Sequence, residues 1–337
     1  MKVIDFDSDN SLLELFLAFP KHLYSTDPHW LADPDEARWL SAVARRNYIV
    51  LEEDKVCGRA AVMVNPSLRD ETDLPYGQIG FFECLNDPAI ANCLINASFM
   101  WFRSNLPVVK TILAPIEFDT WHAYRLRTRG FDQPSFLMEP YNPSYYPDLF
   151  SALNFTPVSH YVTKTVDDLS NLPAAWEPYH RNVLAQGYSF RSINPARLEE
   201  EMTLIYHLSL DIFHENLLFV NITEDEFHAL YAGIAGKIDP DLLIFVLDPN
   251  GDPVGFSFIV PDHHQPGLAN IKTMGILPSE KRKGVGAALT YETYQRLRAK
   301  GFFRVNHCLM RAGNRADQFD RGLAEITREY ALYACVI

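Results

Sequence analysis

The sequence predicts an α+β protein built from two tandem copies of one layered α/β unit. Each copy is a mixed, mostly antiparallel sheet flanked by helices, with the first copy degenerate. Three observations carry this reading. The two halves show the same order of segments: strand, polar turn, strand, a third strand, a long helix and a further strand. Apolar residues within the strands recur with the period of two that a half-buried sheet requires. Polar and turn residues collect at Asp167-Asp168-Leu169-Ser170-Asn171-Leu172-Pro173, near the middle of the chain. The expected units are therefore residues 1–167 and 168–337.

Residues 49–64, with the turn Glu52-Glu53-Asp54-Lys55, read as a hairpin, and residues 244–260 read the same way. Asn250-Gly251 is a strong two-residue hairpin signal, and Val254, Phe256, Phe258 and Val260 alternate after it. A third apolar segment follows in each half, at 78–82 and 271–276. A long helix comes next, at 88–105 and 285–300, where Ala287, Tyr291, Tyr294 and Leu297 keep one face of the second helix apolar. Strands are expected at 109–114 and 303–310. Each half then closes with a short helix running into a strand, at 145–166 and 315–336.

A chain of 337 residues suits two cores better than one, and a hydrophobic content of 47% is enough to fill them. The formal charge of -13 argues against broad binding to nucleic acid or to an anionic membrane. The acidic start, Met1-Lys2-Val3-Ile4-Asp5-Phe6-Asp7, has no signal-peptide core, and no apolar run reaches bilayer length. Cysteines 57, 84, 93, 308 and 335 are scattered and lack a C-x-x-C pair. They suit reduced thiols in a cytoplasmic protein without a metal site.

Against this acidic background Lys281-Arg282-Lys283-Gly284-Val285-Gly286 stands out. It lies between the apolar run Met274-Gly275-Ile276-Leu277-Pro278 and the helix that begins near Val285. Glycines let backbone approach a ligand closely, and a helix start offers free N–H groups and a positive dipole end. Together they form an anion cradle suited to a phosphate or pyrophosphate. It is not a Walker A loop, because Gly286 is followed by Ala287-Ala288; nor is it a dinucleotide fingerprint, because Leu289 stands at the third glycine position.

Strand, proline, basic residue, two spacers, Gly-x-Gly and helix together resemble motif A of the GNAT superfamily of acyl-CoA-dependent N-acyltransferases. Lys281 departs from the usual arginine or glutamine, keeping charge but losing the planar fork. The segment order of both halves is also similar to GNAT topology. Gly80-Phe81-Phe82-Glu83-Cys84, Tyr141-Asn142-Pro143-Ser144-Tyr145-Tyr146 and Arg328-Glu329-Tyr330-Ala331-Leu332-Tyr333 resemble segments of bacterial tandem GNAT-like proteins.

The resemblance implies acetyl-CoA or another acyl-CoA as cosubstrate. Its pantetheine arm would run along Met274, Gly275 and Ile276. Its pyrophosphate would sit on the N–H groups of residues 282–287, with Lys281, Arg282 and Lys283 adding charge. The family's glutamate base would fall at Asn270, which cannot act as one. His214 and Glu215, or His263 and His264, are the other candidates near an acceptor. Asn314 fits the asparagine of motif B, but Arg321 occupies the position where a tyrosine usually protonates the thiolate. Tyr330 is the expected replacement and Tyr333 the second choice. The first half's counterpart to the loop, Glu83-Cys84-Leu85-Asn86-Asp87-Pro88, is acidic and glycine-free, so one coenzyme site per chain is expected.

The leading function is acyl transfer to the amine of a small or amino-acid-like acceptor. A non-catalytic acyl-CoA sensor or partner-binding module stands beside it because base and tyrosine are displaced. An aminoacyl-tRNA-dependent transferase is a further alternative, disfavoured by the acidic charge.

Overall fold

The alternation at residues 49–64 becomes an antiparallel hairpin of β2 (Arg46–Glu52) and β3 (Lys55–Met63). In the computed structural model it belongs to the first of two units, Met1–His160 with Arg328–Ile337; the second is Tyr161–Thr327. The structure describes all residues except 31, 34, 172–175, 236–237 and 314–321.

In the first unit β1 (Lys2–Phe6) precedes the helices α1 (Asn10–Leu23) and α2 (Glu36–Val43). After the hairpin come β4 (Gly77–Cys84), α3 (Pro88–Asn105), β5 (Thr111–Ala114), β6 (Leu126–Arg129), α4 (Tyr146–Ala152) and the first residues of β7 (Thr156–Val166). The sheet runs β1-β2-β3-β4-β5, antiparallel except for the parallel pair of β4 and β5. Apolar side chains fill both faces. Phe6, Phe16, Leu40, Ile49 and Phe81 pack on one, while Val50, Val62, Ile79, Leu94, Phe102 and Phe150 pack on the other.

The second unit holds α5 (Glu177–Ala185), β8 (Ser189–Ser192), α6 (Leu198–Phe213), α7 (Glu224–Ala235), β9 (Leu243–Leu247), β10 (Pro253–Pro261) and β11 (Leu268–Ile276). It continues with α8 (Val285–Ala299), β12 (Arg304–Arg311) and the first residues of β13 (Glu325–Val336). Its sheet runs β8-β9-β10-β11-β12, and again only β11 and β12 are parallel. Gly251, at φ +91°, makes the expected turn between β9 and β10. Ile244, Val246, Ile271, Val305 and the α8 residues Val285, Leu289 and Leu297 form the core beneath α8.

The repeat is therefore real, and each unit is a mixed, mostly antiparallel sheet flanked by helices. It departs from a simple cut at 167/168 in its closing strands. Beyond β5 in the first unit lies β13, in register from Tyr333 opposite Ala114 to Val336 opposite Thr111. Beyond β12 in the second unit lies β7, in register from Val166 opposite Val305 to Tyr161 opposite Arg311. Each half supplies the sixth strand of the other unit. Alternation tells that a segment is a strand but not which sheet it joins, so the exchange could not be read from the pattern.

Candidate functional site

The glycine loop opens α8 in a way that α3 does not share. Gly284 is the N-cap, at φ +87°, and offers no capping side chain. The first intrahelical bond runs from the Ala288 N–H to the Gly284 carbonyl at 2.9 Å. The N–H groups of Val285, Gly286 and Ala287 lie ahead of it, on the positive end of the dipole. At the start of α3 the Asp87 carboxylate accepts the Ala89 N–H at 2.7 Å. One helix start is thus occupied by a negative side chain and the other is bare.

The two glycines differ. A Cβ on Gly286 would meet only Ile276 Cδ1, at 3.6 Å, an ordinary contact. A Cβ on Gly284 would lie 3.0 Å from the Tyr179 ring, at a backbone angle that side chains rarely adopt. Gly284 is therefore required by the fold itself. Two of the three cations are partly neutralised. Lys281 Nζ pairs with Glu215 Oε2 at 2.9 Å, and Lys283 Nζ with Glu280 Oε1 at 3.0 Å. Burial would raise the Glu280 carboxyl, but hydrogen bonds from Tyr188, at 2.6 Å, and Lys283 outweigh it and hold it below its usual range. Arg282 is exposed, at φ +72°.

Beside the loop, two parallel strands part. β11 and β12 are in register from Leu268 opposite Arg304 to Ile271 opposite His307. β11 then continues to Ile276 and β12 to Arg311. Both strands are irregular at the parting. Against β10, the register shifts between Phe258, opposite Thr273, and Ile259, opposite Ile271, so Lys272 is the extra residue. In β12 the register against β7 shifts between His307 and Met310, and Leu309 takes φ +57°. Residues 272–276 are half-buried, with their β12-side edge past the last pair. This edge includes Met274, which accepts the Thr290 hydroxyl at 3.4 Å, and Gly275, where a Cβ would lie 2.4 Å from Ile212.

The first unit has the same wedge, filled. β4 and β5 are in register only at Gly77 and Gln78, and Phe81 bulges at φ +50°. There the Ile116 N–H donates to the Ile79 carbonyl at 3.0 Å, and a Cβ on Gly80 would lie 2.6 Å from the Ile116 carbonyl oxygen. The chain's own backbone occupies that slot.

Several expected site residues fall elsewhere. Tyr330 belongs to the first unit, fully buried, and its hydroxyl donates to the Glu139 carboxylate. That corrects its expected position facing a cofactor in the second unit. Its strand is the exchanged one, so nearness in sequence to motif B misleads. Asn314 and Arg321 lie outside the described residues. Glu215 is on the loop lysine, and the Lys281 ammonium keeps its carboxyl below the usual range. His214 is exposed, with Nδ1 2.8 Å from the Asp211 carbonyl oxygen. His263 and His264 are exposed in a turn where Asp262 accepts the His264 N–H at 2.9 Å.

A buried polar ladder crosses the sheet where the strands part. The Thr165 hydroxyl donates to Asn306 Oδ1 at 2.7 Å, Asn306 Nδ2 to Asn270 Oδ1 at 2.8 Å, and Asn270 Nδ2 to Asp262 Oδ2 at 3.2 Å. Asn270 is thus a locked amide at the usual base position. Periodicity could have flagged the ladder, since Asn270 and Asn306 are polar positions inside apolar strands. A second buried pair, Tyr294 and His307 Nε2, joins α8 to β12. Among the described residues no group of three His, Cys, Asp or Glu side chains is placed to hold a metal ion, and no helix is long and apolar enough to cross a membrane.

Residues 204–319 match the family model of the Acetyltransferase (GNAT) family. The curated protein YghO of Escherichia coli (strain K12) is 23% identical over 263 residues, covering 74% of this chain and 66% of YghO. The chain thus spans just under two thirds of that relative's length. A GCN5-related N-acetyltransferase from Sphaerobacter thermophilus superposes with TM-score 0.53 at 14% identity, over 99% of this chain and 95% of that one. A tandem GNAT protein from the clavulanic acid biosynthesis pathway gives TM-score 0.54 at 11% identity, over 99% and 98%. The bare helix start, the parted strands and the matched segment all lie in the second unit, where residues 204–319 are a segment of the Acetyltransferase (GNAT) family.

Proposed function

We propose that the second unit binds acetyl-CoA or another acyl-CoA and transfers the acyl group to the amine of a small or amino-acid-like acceptor. The carrying observation is the contrast between units. The second has a helix start without a capping side chain beside a strand edge that runs on past its last pair with β12, and the first has both places filled by Asp87 and Ile116. The coenzyme supplies an acyl group activated as a thioester. Val285, Gly286 and Ala287 would hold its pyrophosphate through their N–H groups. The edge of residues 272–276 would orient the pantetheine by strand-like hydrogen bonds. The amine nitrogen bonds to the acyl carbon as the carbon–sulfur bond breaks, and the amine proton must leave. Asn270 cannot take it; we assign that proton to solvent, and the coenzyme leaves as a thiolate that takes a proton from solvent in turn. The chain's -13 charge draws cationic acceptors by long-range attraction.

Gly286→Glu tests this reading. A glutamate in the first turn favours the helix dipole by about 0.3–1 kcal/mol, so the fold should be kept or slightly strengthened. CoA affinity should fall at least tenfold, because the carboxylate repels phosphate. Calorimetry of the unsubstituted protein should show one CoA site per chain. Unchanged affinity in the variant, or two equivalent sites, would overturn the assignment.

A further inference from the structure

We infer that Tyr179 is a nucleotide-contacting residue of the same site, its ring taking the adenine end of the coenzyme. This deepens the acyl-CoA reading and rests on it. Tyr179 is on α5, which lies outside the family-matched segment. Its ring lies against the loop: a Cβ on Gly284 would be 3.0 Å from Cδ1 and 3.8 Å from Cε1. The residue is nonetheless 42% exposed, so its ring is open to a ligand that approaches the loop.

Its position is held by neighbours on the same helix. His180 packs against Tyr291 of α8 and Phe190, with ring centroids 5.0 and 5.2 Å apart, and its Nε2 lies 3.2 Å from Glu292. Trp176, one turn earlier, is buried. An exposed ring on a fixed helix is a platform rather than a swinging side chain.

The two glycine contacts give the platform a direction. Gly286 faces Ile276, at the end of the strand edge assigned to pantetheine, where an added Cβ would lie 3.6 Å from Cδ1, while Gly284 faces Tyr179. A pyrophosphate on the N–H groups of Val285, Gly286 and Ala287 would therefore have its pantetheine end toward Ile276 and its nucleotide end toward Tyr179. Stacking of a base on an aromatic ring is sequence-tolerant and strong enough to matter for affinity.

The test is calorimetric titration of the full chain and its Tyr179→Ala, Tyr179→Phe and Tyr179→Trp variants. The probes are CoA, adenosine 3′,5′-bisphosphate and 4′-phosphopantetheine. Tyr179→Ala should weaken CoA and the bisphosphate roughly tenfold and leave 4′-phosphopantetheine unchanged; Phe and Trp should restore CoA affinity. Equal CoA affinity in Tyr179→Ala would overturn the proposal. So would an equal loss for 4′-phosphopantetheine, which would make Tyr179 a prop for the loop. Failure of the unsubstituted protein to bind any of the three probes would remove the acyl-CoA reading itself, and this proposal with it.

Discussion

Glu139 is fully buried and faces two buried arginines, with Arg127 Nη2 2.6 Å from Oε2 and Arg328 Nε 3.3 Å from Oε1. Tyr330 donates to the same carboxylate. Removing the Tyr330 hydroxyl loses a hydrogen bond to a charged group, worth about 1.5–3 kcal/mol. Tyr330→Phe should therefore lower the denaturant midpoint while leaving CoA affinity and turnover per folded molecule unchanged. A tenfold loss of turnover without a stability change would return Tyr330 to catalysis. Glu139→Gln should cost more, about 3–5 kcal/mol, because it leaves buried guanidinium charge uncompensated. In the sequence, Arg125-Leu126-Arg127-Thr128-Arg129 reads as a solvated charge run. Arg127 is buried because a glutamate twelve residues on folds back to meet it, a contact that no local pattern records.

Two further carboxyls of the first unit give it a pH signature. Burial pushes Glu83 up to about 7, opposed by Arg59 and by hydrogen bonds from Tyr146 and Tyr24 at 2.6 and 2.8 Å. Burial, with Glu36 nearby, pushes Glu117 up to about 8. A carboxyl raised in the folded state binds its proton more tightly there than in the unfolded chain. Its contribution is greatest below the unfolded value of 4.5 and is lost as pH climbs to about 7 for Glu83 and about 8 for Glu117. Thermal midpoints of the protein should therefore carry a declining component between about pH 5 and 8. Glu117→Gln, neutral throughout, should flatten it. A variant whose midpoints fall with pH as steeply as those of the unsubstituted protein would refute the assignment.

At the scale of elements, the hairpins, the long helices and the glycine loop were legible because each has a local cause. Asn250-Gly251 requires its turn, Pro88 and Asp87 start α3, and the strand apolar residues alternate. Less was legible where a local segment has two readings. α5 supplies the inferred nucleotide platform, yet its run Glu177-Pro178-Tyr179-His180-Arg181-Asn182 lacks an apolar stripe. β6, four residues long with three polar side chains, is a strand only because β13 pairs with it. The contrast of helix starts gives an element-scale prediction. Asp87→Ala should destabilise the first unit by about 0.5–2 kcal/mol, the usual worth of an N-cap. It should not create a second CoA site, because Ile116 still fills the wedge. Calorimetry showing two sites in Asp87→Ala would mean that the carboxylate alone had closed the first unit.

At the scale of the whole molecule, the exchange of closing strands decides how the chain can be cut. A division at 167/168 looks clean in the sequence, but it leaves residues 1–167 without the strand that pairs with β5 and β6. Ala331, Tyr333 and Cys335 of that strand are in the first unit's core with Phe150 and Leu126. Arg328 on the same strand belongs to the buried pair with Glu139. Lost with it are about 1.5–3 kcal/mol for each large apolar side chain left exposed, plus one partner of a buried charge. These losses are comparable with the 5–15 kcal/mol that keeps a typical domain folded. Residues 1–167 alone should therefore show no cooperative thermal transition and poor dispersion of amide signals. Residues 1–160 joined by a short flexible linker to residues 328–337 should recover both, since the linker restores the strand and shortens the loop that must close. A cooperative melt of residues 1–167 without the added strand would show that the first unit does not depend on the exchange.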